Sequence, residues 1–156
     1  MCLLCGDPYS VENVLGPLLK QQNCYLSGER SVAIETQLGD SKRKVEVILS
    51  SYHSADDFRD ELIHGFILVY STKRKASLAT LSAFSSNIPE LPIQVLAVTE
   101  SNSSLASSAV YPTMSGGAGL SEAHLIEDGS NLADRLNAHF MTSTSAIQQK
   151  CEQDLL

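Results

Sequence analysis

The segment from Gly6 to Asn13 matches the phosphate-binding motif GxxxxGK(S/T) in length but keeps only its first glycine. Val11 occupies the position of the second glycine, Glu12 that of the lysine, and Asn13 that of the Ser/Thr that binds Mg²⁺. Pro8 has no N–H to offer a phosphate, and β-branched Val11 disfavours the left-handed backbone that glycine adopts freely. Glu12 reverses the charge nearest the phosphates. The residues therefore predict a motif that has lost phosphate binding.

Period-two alternation and continuous apolar runs predict six strands around this segment. The second and third strands are joined by the turn residues Gly39, Asp40 and Ser41, which predicts a β-hairpin. The fourth is an apolar run of the kind buried on both faces of a parallel sheet. The predicted strands cover residues 2–5, 32–38, 45–49, 66–70, 93–98 and 141–143.

Helical spacing of apolar residues predicts the elements between these strands. One helix covers residues 11–19 with Ser10 as its N-cap, and others cover 54–63, 76–84 and the stripe Leu132, Leu136 and Phe140. A terminal helix is predicted over 146–156. The Ser- and Gly-rich stretch 99–130 is predicted to be a long loop, with 116–119 as a flexible linker rather than a phosphate cradle.

The alternation of strands and helices predicts an α/β domain over residues 1–156. We expect a mostly parallel six-stranded sheet with one antiparallel hairpin and helices on both faces. Ligands in such sheets bind at the carboxyl ends of the strands. A flavodoxin-like fold is the alternative, and it would require the strands over 31–38 and 44–49 to be parallel.

This order of elements resembles the G domain of the Ras superfamily. The stretch 64–78, HGFILVYSTKRKASL, resembles the pseudoGTPase domains of the large Rho GTPase-activating proteins of the glucocorticoid-receptor DNA-binding-factor type. The opening MCLLCGDP is similar to the second of their two pseudoGTPase domains. The resemblance covers residues 1 to roughly 100. It implies a Ras-like fold and a domain excised from a longer multidomain protein that carries RhoGAP activity elsewhere.

The resemblance places the metal- and γ-phosphate-sensing DxxG motif just after the third predicted strand. Ser50 and Ser51 lie there, so the Asp of the Mg²⁺ shell and the Gly are absent. His53 falls near the water-orienting Gln, and without the metal and the lysine we interpret it as an ordinary loop histidine. The Thr of the first switch has several candidates, namely Ser27, Ser31 and Thr36.

The two motifs that contact guanine are also degenerate by this resemblance. Thr99 and Glu100 stand where NKxD would begin, and neither the base-pairing Asp nor the Lys follows. Thr144, Ser145 and Ala146 are a remnant of the SAK motif without its lysine. Phosphate, metal and guanine contacts are thus lost at separate loops.

The net charge of −7 and the pI of about 4.9 argue against nucleic acid as a partner. Two basic clusters, at 42–44 and 73–75, are interpreted as a solvated turn and a solvated helix start. Contact with an acidic phospholipid headgroup or an acidic protein is the alternative interpretation. The string from Arg74 to Ser77 resembles a basophilic kinase site, and such strings are common by chance.

The four cysteines include a CxxC formed by Cys2 and Cys5. On a strand these side chains point to opposite faces, so they predict buried reduced thiols rather than a metal site. Reduced thiols indicate the cytoplasm. No metal or cofactor is expected.

The sequence therefore predicts a non-catalytic pseudoGTPase domain that binds neither GTP nor GDP. Its expected role is a regulatory, protein-binding module of a RhoGAP protein in Rho signalling. Expected partners are unidentified proteins or other domains of the parent protein. The alternative is a divergent small GTPase with unconventional nucleotide binding.

Overall fold

A computed structural model describes residues 2–54, 62–99 and 117–144. Seven strands and three helices lie in these ranges. In chain order they are β1 (Cys2–Gly6), α1 (Pro8–Leu19), β2 (Cys24–Gly28), β3 (Ser31–Leu38), β4 (Ser41–Ser50), β5 (Gly65–Ser71), α2 (Lys75–Ser85), β6 (Ile93–Thr99), α3 (Gly117–Arg135) and β7 (His139–Thr144).

The described strands form one sheet in the order β2-β3-β4-β1-β5-β6-β7. β1 lies in the middle and pairs in parallel with β4 on one side and with β5 on the other. β5, β6 and β7 continue in parallel, and each is linked to the next by a helix. The carboxyl ends of β1, β4, β5, β6 and β7 therefore meet at one edge of the sheet.

β3 and β4 form an antiparallel hairpin with an unbroken register from Ser31↔Ile48 to Leu38↔Ser41. Its turn contains Gly39, whose φ of 61° lies in the left-handed region that glycine adopts without strain. This antiparallel pairing is incompatible with the all-parallel sheet of the flavodoxin-like alternative.

The predicted Ras-like sheet of six strands, mostly parallel with one antiparallel hairpin, is wrong. The described strands divide into an antiparallel group, β2 to β4, and a parallel group, β5 to β7, with β1 bonded to one member of each. The strand that the prediction lacks is β2, where Tyr25 and Leu26 pair with Ala33 and Val32. β2 lies at the sheet edge and buries only Cys24, so its sequence shows no alternation.

The predicted loop over residues 99–130 is partly helical. α3 begins at Gly117 and runs through this region to Arg135, whereas residues 100–116 lie outside the described part of the chain. Its glycines are poor helix formers, but Leu125 and Leu132 are buried against the sheet, and such packing outweighs propensity. Phe140, predicted on a helix, lies on β7.

Two other predicted helices lie largely or wholly outside the described residues. Residues 55–61 of the predicted helix over 54–63 are not described, and Leu62 near its end is 72% exposed. The predicted terminal helix over 146–156 is not described either.

Helices cover both faces of the sheet. α1 packs on one face through Val11, which contacts a cluster that includes Val47, Val69 and Val98. α2 and α3 cover the other face, where the larger cluster is centred on β5 and β6. Its fully buried members are Leu68, Tyr70, Leu81, Val95, Ala97 and Ala133.

Tyr70 connects β5 to α3 inside the larger cluster. Its phenol O–H donates to the Leu125 carbonyl at 2.7 Å. The ring lies so close to Gly129 that an added Cβ there would be 2.6 Å from Cζ of Tyr70. Burial, reinforced by the charge of Asp128, raises the pKa of the Tyr70 phenol, so the phenol stays protonated. Gly129 is therefore required by close packing rather than by its own backbone conformation.

Candidate functional site

Five of the residues predicted from the degenerate motifs line one depression at the carboxyl ends of β1 and β4. Its volume is about 290 Å³. The predicted lining residues are Gly6, Val11, Glu12, Ser50 and Ser51, and they are joined by Arg30, Leu49 and Ser54.

The turn from β1 to α1 contains a single residue, Asp7. α1 starts at Pro8, and the Val11 N–H donates to the Asp7 carbonyl at 3.0 Å, so the helical ladder begins directly after the strand. A phosphate cradle needs a loop whose N–H groups point at the ligand. The space between strand and helix offers no such loop. The predicted N-cap, Ser10, lies inside the helix.

Val11 fills the space where a phosphate-binding loop would leave room. Its side chain is 9% exposed and packs in the smaller core cluster. A Cβ on Gly6 would approach the Val69 carbonyl oxygen to 2.9 Å and Cγ2 of Val11 to 3.2 Å. Gly6 therefore lets α1 and the sheet approach each other closely, which is a structural use of the one glycine that the motif retains.

Glu12 and Asn13 are both exposed on α1. Glu12 lines the depression and Asn13 does not. A carboxylate in this position repels a phosphate, whereas the lysine of the motif would attract it. At an effective dielectric near 20, a unit charge at 4 Å contributes about 4 kcal/mol. Arg30 also lines the depression, so the lining carries one acidic and one basic residue, and Glu12 is the one that opposes an anionic ligand.

An ion pair spans the same edge of the sheet. Nη1 of Arg74, which precedes α2, lies 3.1 Å from Oδ2 of Asp7. The Asp7 side chain is 17% exposed and that of Arg74 is 50% exposed. The pair links the β1–α1 and β5–α2 turns, and it places a carboxylate of the chain itself beside the start of α1.

We expect this pair to contribute little to stability, because Arg74 is half-exposed. A double-mutant cycle with Asp7→Ala and Arg74→Ala should give a coupling energy below about 1 kcal/mol. Urea unfolding of the parent chain, the two single variants and the double variant measures this coupling energy. The coupling should decrease further near 1 M salt. A coupling above about 2 kcal/mol that is insensitive to salt would contradict a solvent-screened pair.

The segment after β4 is held by its own hydrogen bonds. The Ser50 hydroxyl donates to the Ser51 carbonyl at 3.0 Å, and the Ser51 hydroxyl donates to Oγ of Ser54 at 3.0 Å. Tyr52 donates from its phenol to the Val69 carbonyl at 2.6 Å, and its ring contacts that of Phe84 in a tilted arrangement with centroids 5.4 Å apart. Both serines therefore close a turn.

His53 lies in this turn, exposed, and does not line the depression.

The predicted remnants of the guanine motifs lie farther along the sheet. Thr99 ends β6 and pairs with Thr144 at the end of β7, and its hydroxyl donates to the Ser143 carbonyl at 3.2 Å. Neither lines the depression. Glu100, Ser145 and Ala146 lie outside the described residues.

Several polar residues at this edge were not found by sequence reasoning. Asp7 could have been found from the Asp-Pro pair, since Asp is a common N-cap and Pro is favoured at the first helical position, whereas its contact with Arg74 gave no signal in the sequence. Thr72 is buried, and its hydroxyl donates to a Glu122 carboxylate oxygen at 2.8 Å. Glu122 gave no signal because its segment was predicted to be a loop.

Ser77, in the string that resembles a kinase site, is 5% exposed. Its hydroxyl donates to the Arg74 carbonyl at 2.7 Å and lies 3.0 Å from the Ser71 N–H, which donates to it. In the folded domain the hydroxyl is part of the β5–α2 turn and is not presented at the surface.

The part of the chain that the structure describes contains no group of three or more His, Cys, Asp or Glu residues able to hold a metal ion. None of its helices combines the length and apolar character needed to cross a membrane.

Comparison with known proteins identifies the family. The family model described as RHG35/p190RhoGAP, pG2 domain, matches residues 1–156. The chain belongs to the p190RhoGAP pG2 family. It is 41% identical over 143 residues to Rho GTPase-activating protein 190 of Drosophila melanogaster and 43% identical over 105 residues to Rho GTPase-activating protein 35 of Rattus norvegicus. The predicted resemblance to this family is confirmed.

The pG2 chain corresponds to a small part of these proteins. The matches cover 90% and 64% of the chain but only 8% and 7% of the two relatives. Rho GTPase-activating protein 35 of Mus musculus matches over 105 residues at 44% identity. The chain is thus a pG2 region of a RhoGAP protein and not the GTPase-activating domain itself.

Proposed function

We propose that this pG2 domain is a pseudoGTPase module that binds neither GTP nor GDP and catalyses no reaction. The single observation that carries the proposal is the one-residue connection between β1 and α1. A guanine nucleotide needs a loop between β1 and α1 that surrounds its phosphates. In this chain the same residues begin a helix.

Opening such a loop would disrupt packing that the domain already has. The first turn of α1 would have to unwind, and Val11 would leave the smaller core cluster. Exposing a buried valine costs about 1.5–3 kcal/mol. Asp7 would also have to separate from Arg74 before a phosphate could approach. Contacts with the nucleotide would have to offset these free-energy costs before any net binding could occur. The Glu12 carboxylate would also repel the phosphates.

The module acts, in this proposal, through proteins rather than through a nucleotide. Its partners are other proteins or other domains of the parent RhoGAP protein, and it regulates that protein in the cytoplasm. The net charge of −7 supports a protein partner over nucleic acid and disfavours broad contact with anionic lipid. The relatives are Rho GTPase-activating proteins by name, which supports a role in Rho signalling.

Thermal unfolding with and without millimolar Mg²⁺ and GTP or GDP tests the proposal. A ligand present at about 1,000 times its Kd stabilises by roughly 4 kcal/mol, and each kcal/mol moves Tm by about 2–4 °C at this size. We expect no shift beyond about half a degree. An active small GTPase under identical conditions is the positive control. A shift of several degrees would instead favour a divergent GTPase.

Two variants make the test sharper. Glu12→Lys restores the lysine of the motif inside the depression, and Asn13→Lys places the same side chain next to it but outside the lining. We expect neither variant to respond to nucleotide, because the loop is missing and charge alone cannot replace it. A nucleotide-dependent Tm shift in Glu12→Lys but not in Asn13→Lys would reveal a remnant phosphate site and overturn the proposal.

A further inference from the structure

A groove of about 410 Å³ runs between α2 and α3 on the face opposite α1. Both helices return against the parallel strands that they connect, so they lie side by side and point the same way. The floor consists of three buried leucines, Leu78, Leu125 and Leu132. Ala79 and Ser82 on α2 line the groove with small side chains and leave it open.

The lining residues repeat with a spacing of seven along both helices. Lys75 and Ser82 are related in this way on α2, as Leu125 and Leu132 are on α3. Residues seven apart lie on one stripe of a helix, about 10.5 Å from each other along the axis. Helices in a coiled coil pack through side chains that repeat with this seven-residue spacing. Two such stripes side by side could pack against a third helix in the same way. The groove therefore fits a helix better than an extended strand.

The charges around the groove are unequal. Lys75 is the first residue of α2 and Arg135 the last of α3, so the two cations lie at opposite ends. Within residues 2–54, 62–99 and 117–144, neither side chain has an ion-pair or hydrogen-bond partner. Asp128 lies between them on the α3 stripe and is the acidic residue of the lining. Both ends of the groove thus present an unpaired positive charge in a chain whose net charge is −7.

We propose that this groove binds an amphipathic helix of a protein partner with an acidic residue near each end of its apolar stripe. Apolar side chains of the partner helix cover the leucine floor beside Ala79, and its carboxylates reach Lys75 and Arg135. Helix-in-groove recognition of this kind is a recurring mode of peptide binding. The inference rests on the proposed function as an interaction module, and it names the face and the chemistry of the partner.

The probe is a capped helical peptide of about 18 residues with leucines at heptad spacing and two glutamates about 15 Å apart along the helix. A control peptide carries lysine in place of both glutamates. Fluorescence anisotropy measures binding of each to the chain. We expect saturable binding of the acidic peptide and affinity at least about tenfold weaker for the lysine peptide.

Matched variants of the chain locate the site. Ala79→Glu adds a charged side chain to the groove, and Ala76→Glu adds the same side chain at an exposed position of α2 that does not line it. We expect only Ala79→Glu to weaken binding of the acidic peptide, by about tenfold or more in affinity. In the double variant Lys75→Glu/Arg135→Glu, the preference should reverse to the lysine peptide. Far-UV circular dichroism confirms that each variant is folded.

Three results would overturn the inference. They are no saturable binding of the acidic peptide, equal weakening by Ala79→Glu and Ala76→Glu, and self-association of the chain that Ala79→Glu abolishes, since a second copy would then occupy the groove. None of them bears on nucleotide binding. The thermal-shift experiment can therefore support the proposed lack of nucleotide binding even if the groove binds no peptide.

Discussion

Gly129→Ala is expected to destabilise the domain by about 3 kcal/mol or more. The new Cβ would meet the Tyr70 side chain, with Cζ at 2.6 Å and Cε1 at 2.9 Å and the phenol oxygen closer still. The ring cannot retreat, because Tyr70 is fully buried and its O–H is bonded to the Leu125 carbonyl. Relief therefore requires α3 to move away from the sheet. Urea unfolding monitored by circular dichroism measures the loss.

The destabilisation by Gly129→Ala should depend on the Tyr70 side chain, and the Tyr70→Leu background tests this. In a Tyr70→Leu background the shorter side chain leaves room at Gly129, and alanine is the better helix former by about 1 kcal/mol. Gly129→Ala should then be neutral or stabilising. If it costs the same in both backgrounds, the clash with Tyr70 is not the cause.

Leu68→Ala is expected to cost about 3–4 kcal/mol. Leu68 is fully buried in the middle of β5, in the cluster that α2 and α3 cover. Removing its side chain loses the transfer free energy of the buried atoms and leaves a cavity that a rigid sheet cannot close. Leu38→Ala is the matched control, because Leu38 is 67% exposed at the end of β3.

We expect Leu38→Ala to change the free energy of unfolding by less than about 0.5 kcal/mol. Urea unfolding of both variants measures the contrast, and the m-values should agree with that of the parent chain. Comparable losses at the two positions would mean that the apolar side chain at the end of β3 is covered in solution.

The elements with strong periodicity were predictable from the sequence. The apolar run over 66–70 corresponds to β5, which is largely buried. The alternation over 32–38 corresponds to β3, where Val32 is buried and Glu35 and Gln37 are exposed. The helix predicted over 76–84 is α2, with one further residue at each end.

β2 and α3 were not predictable, for different physical reasons. β2 buries only Cys24, so the edge position imposes no pattern that the sequence could show. The Gly- and Ser-rich start of α3 has low intrinsic helix propensity, and contacts with the sheet made through Leu125 and Leu132 become apparent only in three dimensions. Intrinsic helix propensity is a weak predictor of secondary structure wherever tertiary packing determines the conformation.

The candidate site shows the same division. The lost motif residues Val11 and Glu12 are visible in the sequence, and they do line the depression. The one-residue turn at Asp7 and the contact with Arg74 depend on where the helix starts and on two turns distant in sequence. Spacing alone could show where the segment departs from the phosphate motif, but not the contact between Asp7 and Arg74, which lie in turns distant in sequence.

The central position of β1 also constrains how the domain assembles. β1 precedes every other strand, yet Cys2 pairs with Val47 on β4 and with Gly65 on β5. β2, β3 and β4 are neighbours in sequence and can pair locally, whereas β1 must wait until two distant segments have been synthesised. Closing such long loops slows folding. β1 can thus find its partners only after β4 and β5 are available, and its pairing with both joins the antiparallel and the parallel group into one sheet.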